Sequence, residues 1–342
     1  MLTIDQIRGA ISRVLTETHL PGLGRRGQGK VRDFYRVDGK RVLITTDRLS
    51  AFDRVVGHIP FKGQVLNQLA AFWFARTSAA PSWPGRDRAG TGERTRDILP
   101  NHLISVPDPN VAVVHECQAL PVEIVVRGYI SGSTSTSLWR RYAAGERVIY
   151  GLEFPDGLRK NERLPQPVIT PTTRGTGPGG HDERITREEI IERGLVSEPL
   201  YAEIEEKALA LFARGTEICA ATGIILVDTK YEFGLLNGQL TLIDEIHTPD
   251  SSRFWLADSY QEQFEAGREP ENFDKELIRL WFRQQGYSGD GPSPELAEEI
   301  VIQASQRYQA VYERITGRDF EPGAFPIAER IKTNLWRAGW IP

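Results

Sequence analysis

The chain of 342 residues has only two cysteines, Cys117 and Cys219, and neither stands in C-x-x-C spacing. That excludes a disulfide framework and a cysteine-built zinc site. No apolar run approaches the ~18–20 residues of a membrane span. The opening segment, MLTIDQIRGAISRVL, carries acids and lacks a small-residue cleavage site, so it is not expected to act as a secretory leader. Neither sign of charge is in large excess: 42 basic against 46 acidic residues leave −4, and no nucleic-acid partner is expected. There is no internal repeat. What remains, at 40% hydrophobic and 26% charged, is a soluble globular composition large enough for two lobes. A cytoplasmic location is expected.

Residues 4–17 read as a short amphipathic helix, with Ile4, Ile7, Ile11, Val14 and Leu15 on one side. A glycine-rich loop (Gly22, Gly24, Gly27, Gly29) then leads into a strand over 31–37, a two-residue turn at Asp38-Gly39 and a return strand over 42–46. Helices are expected over 63–76, 199–222, 274–285 and 294–316, and strands over 111–115 and 122–126. Residues 116–120 read as an inter-lobe hinge. Residues 78–97 and 160–185, rich in proline and glycine, read as long loops.

Several segments concentrate chemistry. Gly24–Lys30 matches the letters GxxxxGK, but Val31 follows the lysine and a strand, not a helix, comes next, so a P-loop is excluded. A glycine-rich lid over nucleotide phosphates, with Lys30 and Arg32 pointing at them, and a basic turn guarding a sheet edge account equally well for it. Thr46–Asp53 places hydroxyls, two acids and an arginine at a strand exit. Helix capping by Asp47 or Ser50 is the alternative there. Arg127-Gly-Tyr-Ile-Ser-Gly-Ser133 follows a buried strand that holds Glu123. Its arginine and bared backbone N–H groups suit a phosphate monoester, and an ordinary turn is the competing account. Thr170-Pro-Thr-Thr-Arg174 and Gly179–Glu183 add polar density, with His181 as a lone loop histidine.

The densest signal is IILVDTKYEFGLLNGQLTLIDEIHTPDSSRFW, residues 224–255. Two apolar strands meet at Asn237-Gly238, yet Asp228, Lys230 and Glu232 leave one face, with Asp244 and Glu245 on the return strand. Buried charges need partners or a metal. A two-residue turn sets Asp244 opposite Tyr231. A three-residue turn with a bulge at Gly238 sets it opposite Lys230, diagonal to Asp228 and Glu232, and that bulged register is the expectation. His247–Arg253 forms a second anion-binding cluster.

GKVRDFY, TDRLSAFD, LPVEIVVRGYISGS, TPTTR, GGHDERI, VDTKYEFG and IDEIHTPDSSRFW occur in this order. Together they closely resemble the SAICAR synthetase (phosphoribosylaminoimidazole-succinocarboxamide synthase) family over about residues 20–320, nearest its long, yeast-like form. The resemblance implies an α+β, ATP-grasp and kinase-like two-lobe fold, with ATP between a β-rich N-terminal lobe and a larger α+β lobe. The implied division is 1–116 and 117–320; residues 321–342, a tail with helical character, lie outside the resemblance and are expected either to pack on the core or to mediate assembly. It implies an ATP-dependent ligase that joins L-aspartate to the carboxylate of carboxyaminoimidazole ribonucleotide (CAIR), giving ADP and phosphate, with Mg²⁺ as cofactor. Partners are then small molecules, with neither nucleic acid nor membrane, in a monomer or small homo-oligomer.

By the same resemblance, Lys30, Arg32, Lys230, Glu232 and Asp244 bind ATP. Glu232 and Asp244 hold Mg-ATP, and Asp228 serves a metal near the CAIR carboxylate. Ser50, Asp53, Arg127, Ser133, Asp250, Ser252 and Arg253 bind substrate, and Lys230, Asp228 and Arg253 act in catalysis. Aspartate is placed by the 170–183 loop. This chain departs from the family pattern at Ser131, at Arg174 (Lys in the yeast-like pattern) and at Arg184 (Asn). Neither an H-R-D-x-x-x-x-N loop nor a D-F-G triplet is present, against a protein kinase.

Overall fold

The computed structural model describes residues 1–78, 97–132, 136–175, 182–273 and 275–341. They fall into two units: Met1–Cys117, Thr248–Asp250 and Phe273–Pro342 in unit 1; Gln118–His247 and Ser251–Asn272 in unit 2. The first break lies at the edge of the expected hinge. The rest of the division is discontinuous, whereas the sequence suggested contiguous lobes, because chain order alone does not tell which helices return to an earlier sheet.

In unit 1, α1 (Ile4–Arg8) starts at Thr3, which with Gln6 forms a capping box. The helix stops at Gly9 rather than running to residue 17, and a 3₁₀ turn follows over Ile11–Arg13. Next come β1 (Gly27–Gln28), β2 (Arg32–Val37) and β3 (Lys40–Thr45). Asp38 and Gly39 both have positive φ, 47° and 71°, the type I′ turn that matches strand twist. β4 (Arg48–Ala51) and β5 (Arg54–His58) form a separate pair, also joined by two left-handed residues, Phe52 and Asp53, with φ of 51° and 60°. Neither is glycine, so this turn is strained. Phe52 is held by edge-on contacts with Phe282 and Tyr287. α2 (Lys62–Thr77), β6 (Leu103–Asp108) and β7 (Val111–His115) follow, and the main sheet has the order β1-β2-β3-β7-β6.

Unit 2 is built on two long strands. β8 (Gln118–Ile130) leads, through α3 (Leu138–Ala143), β9 (Val148–Ile149) and β10 (Leu152–Glu153), to β11 (Glu162–Ile169) and β12 (Thr172–Thr173). The expected loop over 160–185 thus contains two strands. Pro165 and Pro167 remove donors from β11, which survives because it lies at the sheet edge. α4 (Arg187–Glu192) and α5 (Glu198–Ala220) precede β13 (Ile224–Leu236), β14 (Gln239–Ile243), β15 (Ser252–Leu256) and α6 (Ala257–Glu265). β8 and β13 pair antiparallel along their length. Each is flanked on its outer side by two shorter strands: β11 and β12 beside β8, β14 and β15 beside β13. α5 packs against β13.

The chain finishes in unit 1 with α7 (Glu276–Gln284), α8 (Glu298–Thr316) and α9 (Ile327–Arg337). Ile327, Ile331 and Leu335 of α9 complete a core with Leu15, Leu23, Tyr35, Val42, Ile44 and Val113. The 321–342 segment is therefore part of the fold of unit 1. No helix among the described residues is long and apolar enough to cross a membrane.

Candidate active site

The Asn237-Gly238 turn contains two residues and no bulge: Leu236 pairs with Gln239, and Glu232 with Ile243. Both turn residues have positive φ, 53° and 80°, so the sequence Asn-Gly adopts the type I′ turn it favours. The expected bulged register is thereby overturned. Asp244 nevertheless reaches Lys230 electrostatically. β14 ends at Ile243, and Asp244 takes a left-handed conformation with φ of 69°, which breaks the strand alternation.

Tyr231 and Phe233 are buried. Tyr231 shares a 2.6 Å hydrogen bond with His247 Nε2, and Gly215 of α5 leaves room for that ring, since a Cβ there would lie 2.4 Å from it. Asp228, Lys230 and Glu232, at the alternate positions, carry charge on the other face.

At one end of that row, Glu232 pairs directly with Glu123 across β8 and β13. Lys230 Nζ donates to Glu123 at 2.5 Å and to Glu232 Oε1 at 2.8 Å. At an effective dielectric of ~20, each such contact attracts by about 6 kcal/mol, while two carboxylates ~5 Å apart repel by about 3 kcal/mol. The lysine therefore decides the sign. Burial alone would depress the Lys230 ammonium, but Glu232, Glu123 and Asp244 outweigh it and raise its pKa above the ordinary value. Burial, with Glu232 and Asp182 nearby, raises that of Glu123 in spite of Lys230.

At the other end, Asp228 pairs with Arg127 on β8 and with Arg253 on β15. Arg127 Nη1 donates to Asp228 at 3.2 Å, and Arg253 Nη1 donates to the same oxygen. Arg127 also donates through Nε to Thr170 at 2.8 Å and through Nη2 to the Thr136 carbonyl at 3.3 Å. Gly132 lets Arg253 in, since a Cβ there would lie 3.2 Å from its guanidinium. Two guanidiniums around one carboxylate leave net positive charge, which suits an anion. A divalent cation on Asp228 would face both, so its expected metal role does not fit this geometry.

The TPTTR motif runs beside β8, with Thr172 opposite Glu123. Its alternate side chains each meet one charged group: Thr170 meets Arg127, Thr172 donates to Glu123 at 3.3 Å, and Arg174 lies 2.9 Å from Glu232 Oε2. That last contact is a charge pairing only, because Oε2 has no aligned donor among the described residues. Nearby, a cavity of about 570 Å³ is lined by Thr136, Arg141, Glu146, Tyr150, Asp182 and Arg184, among others. Arg141 and Arg184 both donate to Glu146, at 3.1 and 3.4 Å.

Other expected site residues are already engaged. In unit 1, Asp250 accepts from Lys62 at 2.8 Å and Tyr308 at 2.7 Å, and Lys275 lies 2.9 Å away. Burial would raise the Asp250 carboxyl, but Lys275 and Lys62 keep it well below the usual range. Burial pushes the Lys275 ammonium down to about 8. These contacts tie the Asp250 segment to α2, to α8 and to the start of α7. Ser252 donates to Thr229 at 2.7 Å, and Lys275 donates to Ser50 at 3.3 Å. Lys30 is paired with Asp53 at 2.5 Å, and Arg32 is half-buried on β2. Ser133 and His181, and most of the 78–97 loop, lie outside the described residues. The roles of Lys62, Lys275, Arg141 and Glu146 carried no signal in the sequence; Glu123, an acid in an apolar strand, did.

Magnesium binds through one or two carboxylates together with waters and phosphates. Glu232, with a buried oxygen lacking an aligned donor, and half-buried Asp244 fit that requirement. No cluster of three or more metal-ligating side chains occurs among the described residues, and magnesium with phosphates does not need one.

An α+β fold whose sheet carries a carboxylate–lysine cluster beside two arginines on one carboxylate has the charge pattern of an enzyme that handles phosphorylated substrates. The SAICAR synthetase family model matches residues 25–294. The phosphoribosylaminoimidazole-succinocarboxamide synthase of Legionella pneumophila (strain Paris) is 48% identical over 96% of this chain and 98% of its own length. The chloroplastic enzyme of Arabidopsis thaliana is 46% identical over 98% of this chain and 78% of its own. SAICAR synthase from Saccharomyces cerevisiae, solved with SAICAR, superposes with a TM-score of 0.73 at 30% identity, covering 90% of this chain and all of that one. A SAICAR synthetase solved with ADP gives 0.63 at 25% identity over 87% of this chain and all of that one. The chain belongs to the SAICAR synthetase family, and it is an ATP-dependent ligase that joins CAIR and aspartate to SAICAR in purine biosynthesis.

Proposed function

We propose that the charged face of unit 2 holds the ATP phosphates and the phosphate of CAIR at neighbouring positions of one strand. The observation that carries this is the spacing of Lys230 and Asp228: two residues apart on β13, they leave the same face ~7 Å apart. One sits in a carboxylate cluster suited to Mg-ATP. The other sits between two arginines suited to the phosphate of CAIR.

In this reading Arg127 and Arg253, with Ser133, hold the CAIR phosphate, and Asp228 is their counter-ion. Lys230 meets the ATP phosphates. Glu232 and Asp244 hold Mg²⁺, which neutralises polyphosphate charge when bound. Arg141 and Arg184, in the 570 Å³ cavity, receive the carboxylates of aspartate. For Lys30, Arg32, Ser50 and Asp53 the support is family membership. The same reading places the reaction in the cytoplasm, with small-molecule partners.

A carboxylate is a poor electrophile because an amine would have to expel oxide. A CAIR carboxylate oxygen therefore attacks the γ-phosphorus and ADP leaves, giving an acyl phosphate. The aspartate amine then attacks the acyl carbon, phosphate leaves, and the nitrogen loses a proton. The protein's share is positioning and charge neutralisation. Incubation with ATP, magnesium, CAIR and aspartate should give ADP and SAICAR in equal amounts. ADP formation that ignores aspartate would sink the reading. Asp244→Asn should lower turnover by orders of magnitude in a folded protein, and near-normal turnover would remove its metal role.

A further inference from the structure

The Arg174 guanidinium lies 2.9 Å from Glu232 Oε2. The arginine side chain is 42% exposed and the carboxylate 8%. Glu232 Oε1 is already satisfied by Lys230, whereas Oε2 is buried without an aligned donor among the described residues. That oxygen is therefore the natural ligand for a hard cation, and a guanidinium covers it.

We propose that Arg174 is the resident counter-ion of Glu232, which a divalent cation must displace to take Oε2. The proposal rests on the reading of Glu232 as a metal ligand. A cation on Oε2 and a guanidinium 2.9 Å from the same oxygen would be only a few ångströms apart, and in a partly buried site that repulsion is strong. The two cannot share the oxygen.

The local structure lets the side chain leave without disturbing the backbone. The Arg174 N–H donates to the Pro121 carbonyl at 3.1 Å. Thr172 and Thr173 are paired with Glu123 and Val122. Gly175, with φ of 60°, ends the strip behind it. The exposed stem can swing while this frame stays. Without Arg174, Lys230 would be the cation among the described residues left to offset Glu123 and Glu232, with Asp244 and Asp182 close by. Arginine in this place thus balances the cluster until metal arrives, and it weakens binding of metal alone.

Titrating full-length protein with Mn²⁺ alone, with free Mn²⁺ read by electron paramagnetic resonance, tests this. Arg174→Gln should bind Mn²⁺ about tenfold more tightly than the unmodified protein, the scale expected for removing one adjacent like charge. Arg174→Lys, which keeps the charge, should stay within a few-fold of it. Glu232→Gln should bind about tenfold more weakly. Unchanged or weaker binding in Arg174→Gln, alongside the loss in Glu232→Gln, overturns the role of Arg174 alone. Unchanged binding in Glu232→Gln overturns the metal reading of Glu232 and the proposal with it.

Discussion

Arg127 and Asp228 face each other across the antiparallel pair β8 and β13, with Arg127 Nη1 3.2 Å from the carboxylate. Both side chains are more than nine-tenths buried. Asp228→Asn keeps the shape and removes the charge between two guanidiniums. Breaking a buried pair in this way costs about 3–5 kcal/mol. Urea denaturation should show a loss of that order. The Mg²⁺ concentration for half-maximal rate should stay the same; a marked rise in it would restore Asp228 as a metal ligand.

Thr170 is fully buried and accepts from Arg127 Nε at 2.8 Å. Thr170→Val leaves that N–H without its acceptor, a penalty of about 1–3 kcal/mol. The KM for CAIR should rise roughly ten- to a hundredfold on that scale, with kcat and the KM for ATP little changed. Thr170→Ser should restore the lost affinity. Equal effects on both substrates would mean that the residue merely supports the fold.

His247 is buried against Tyr231, and burial pushes its pKa down to about 3. An unfolded chain protonates this imidazole near its ordinary value of 6.5, while the native state keeps it neutral. Its contribution is thus complete above about pH 6.5 and is lost as pH falls towards 3, at ~1.4 kcal/mol per pH unit. His247→Gln should remove one proton's worth of slope between pH 4.5 and 6, whatever its effect on absolute stability. Denaturation curves across that range decide it, and an unaltered slope would contradict the neutral buried imidazole.

Arg330 on α9 forks onto Asp108, donating through Nε at 2.9 Å and Nη2 at 3.1 Å. Asp108 is 1% exposed. Arg330→Ala should destabilise the protein by about 3 kcal/mol, since Asn334 and the Asn110 N–H remain as donors but, among the described residues, no cation does. Removing α9 altogether also uncovers Ile327, Ile331 and Leu335, at ~1.5–3 kcal/mol each. Thermal melts of the two variants should rank them in that order, and a truncated chain as stable as the full one would show that α9 is dispensable.

Sequence alone identified the family, because its chemistry sits in short contiguous segments whose order is specific. It also fixed features that depend on neighbouring residues: the two-residue turn at Asp38-Gly39, the long helix α5, and the alternation of Asp228, Lys230 and Glu232; the bulge it favoured at Asn237-Gly238 is absent. It misjudged the segment 160–185, because prolines hide an edge strand's pattern, and it left open whether the helical tail packs on the core, because nothing local says which sheet a terminal helix covers.

Partnership across strands was a matter for the tertiary structure. Asp244, whose backbone turns left-handed past the end of β14, where register no longer governs direction, lies within electrostatic reach of Lys230. Asp228 is held by arginines from two other strands, and Asp250 by two lysines far away in sequence. Arg174 lies on Glu232 because β12 runs beside β8. Residue type and spacing determined which charges are present and on which face. Only packing, by burying particular pairs together, decided which charge neutralises which.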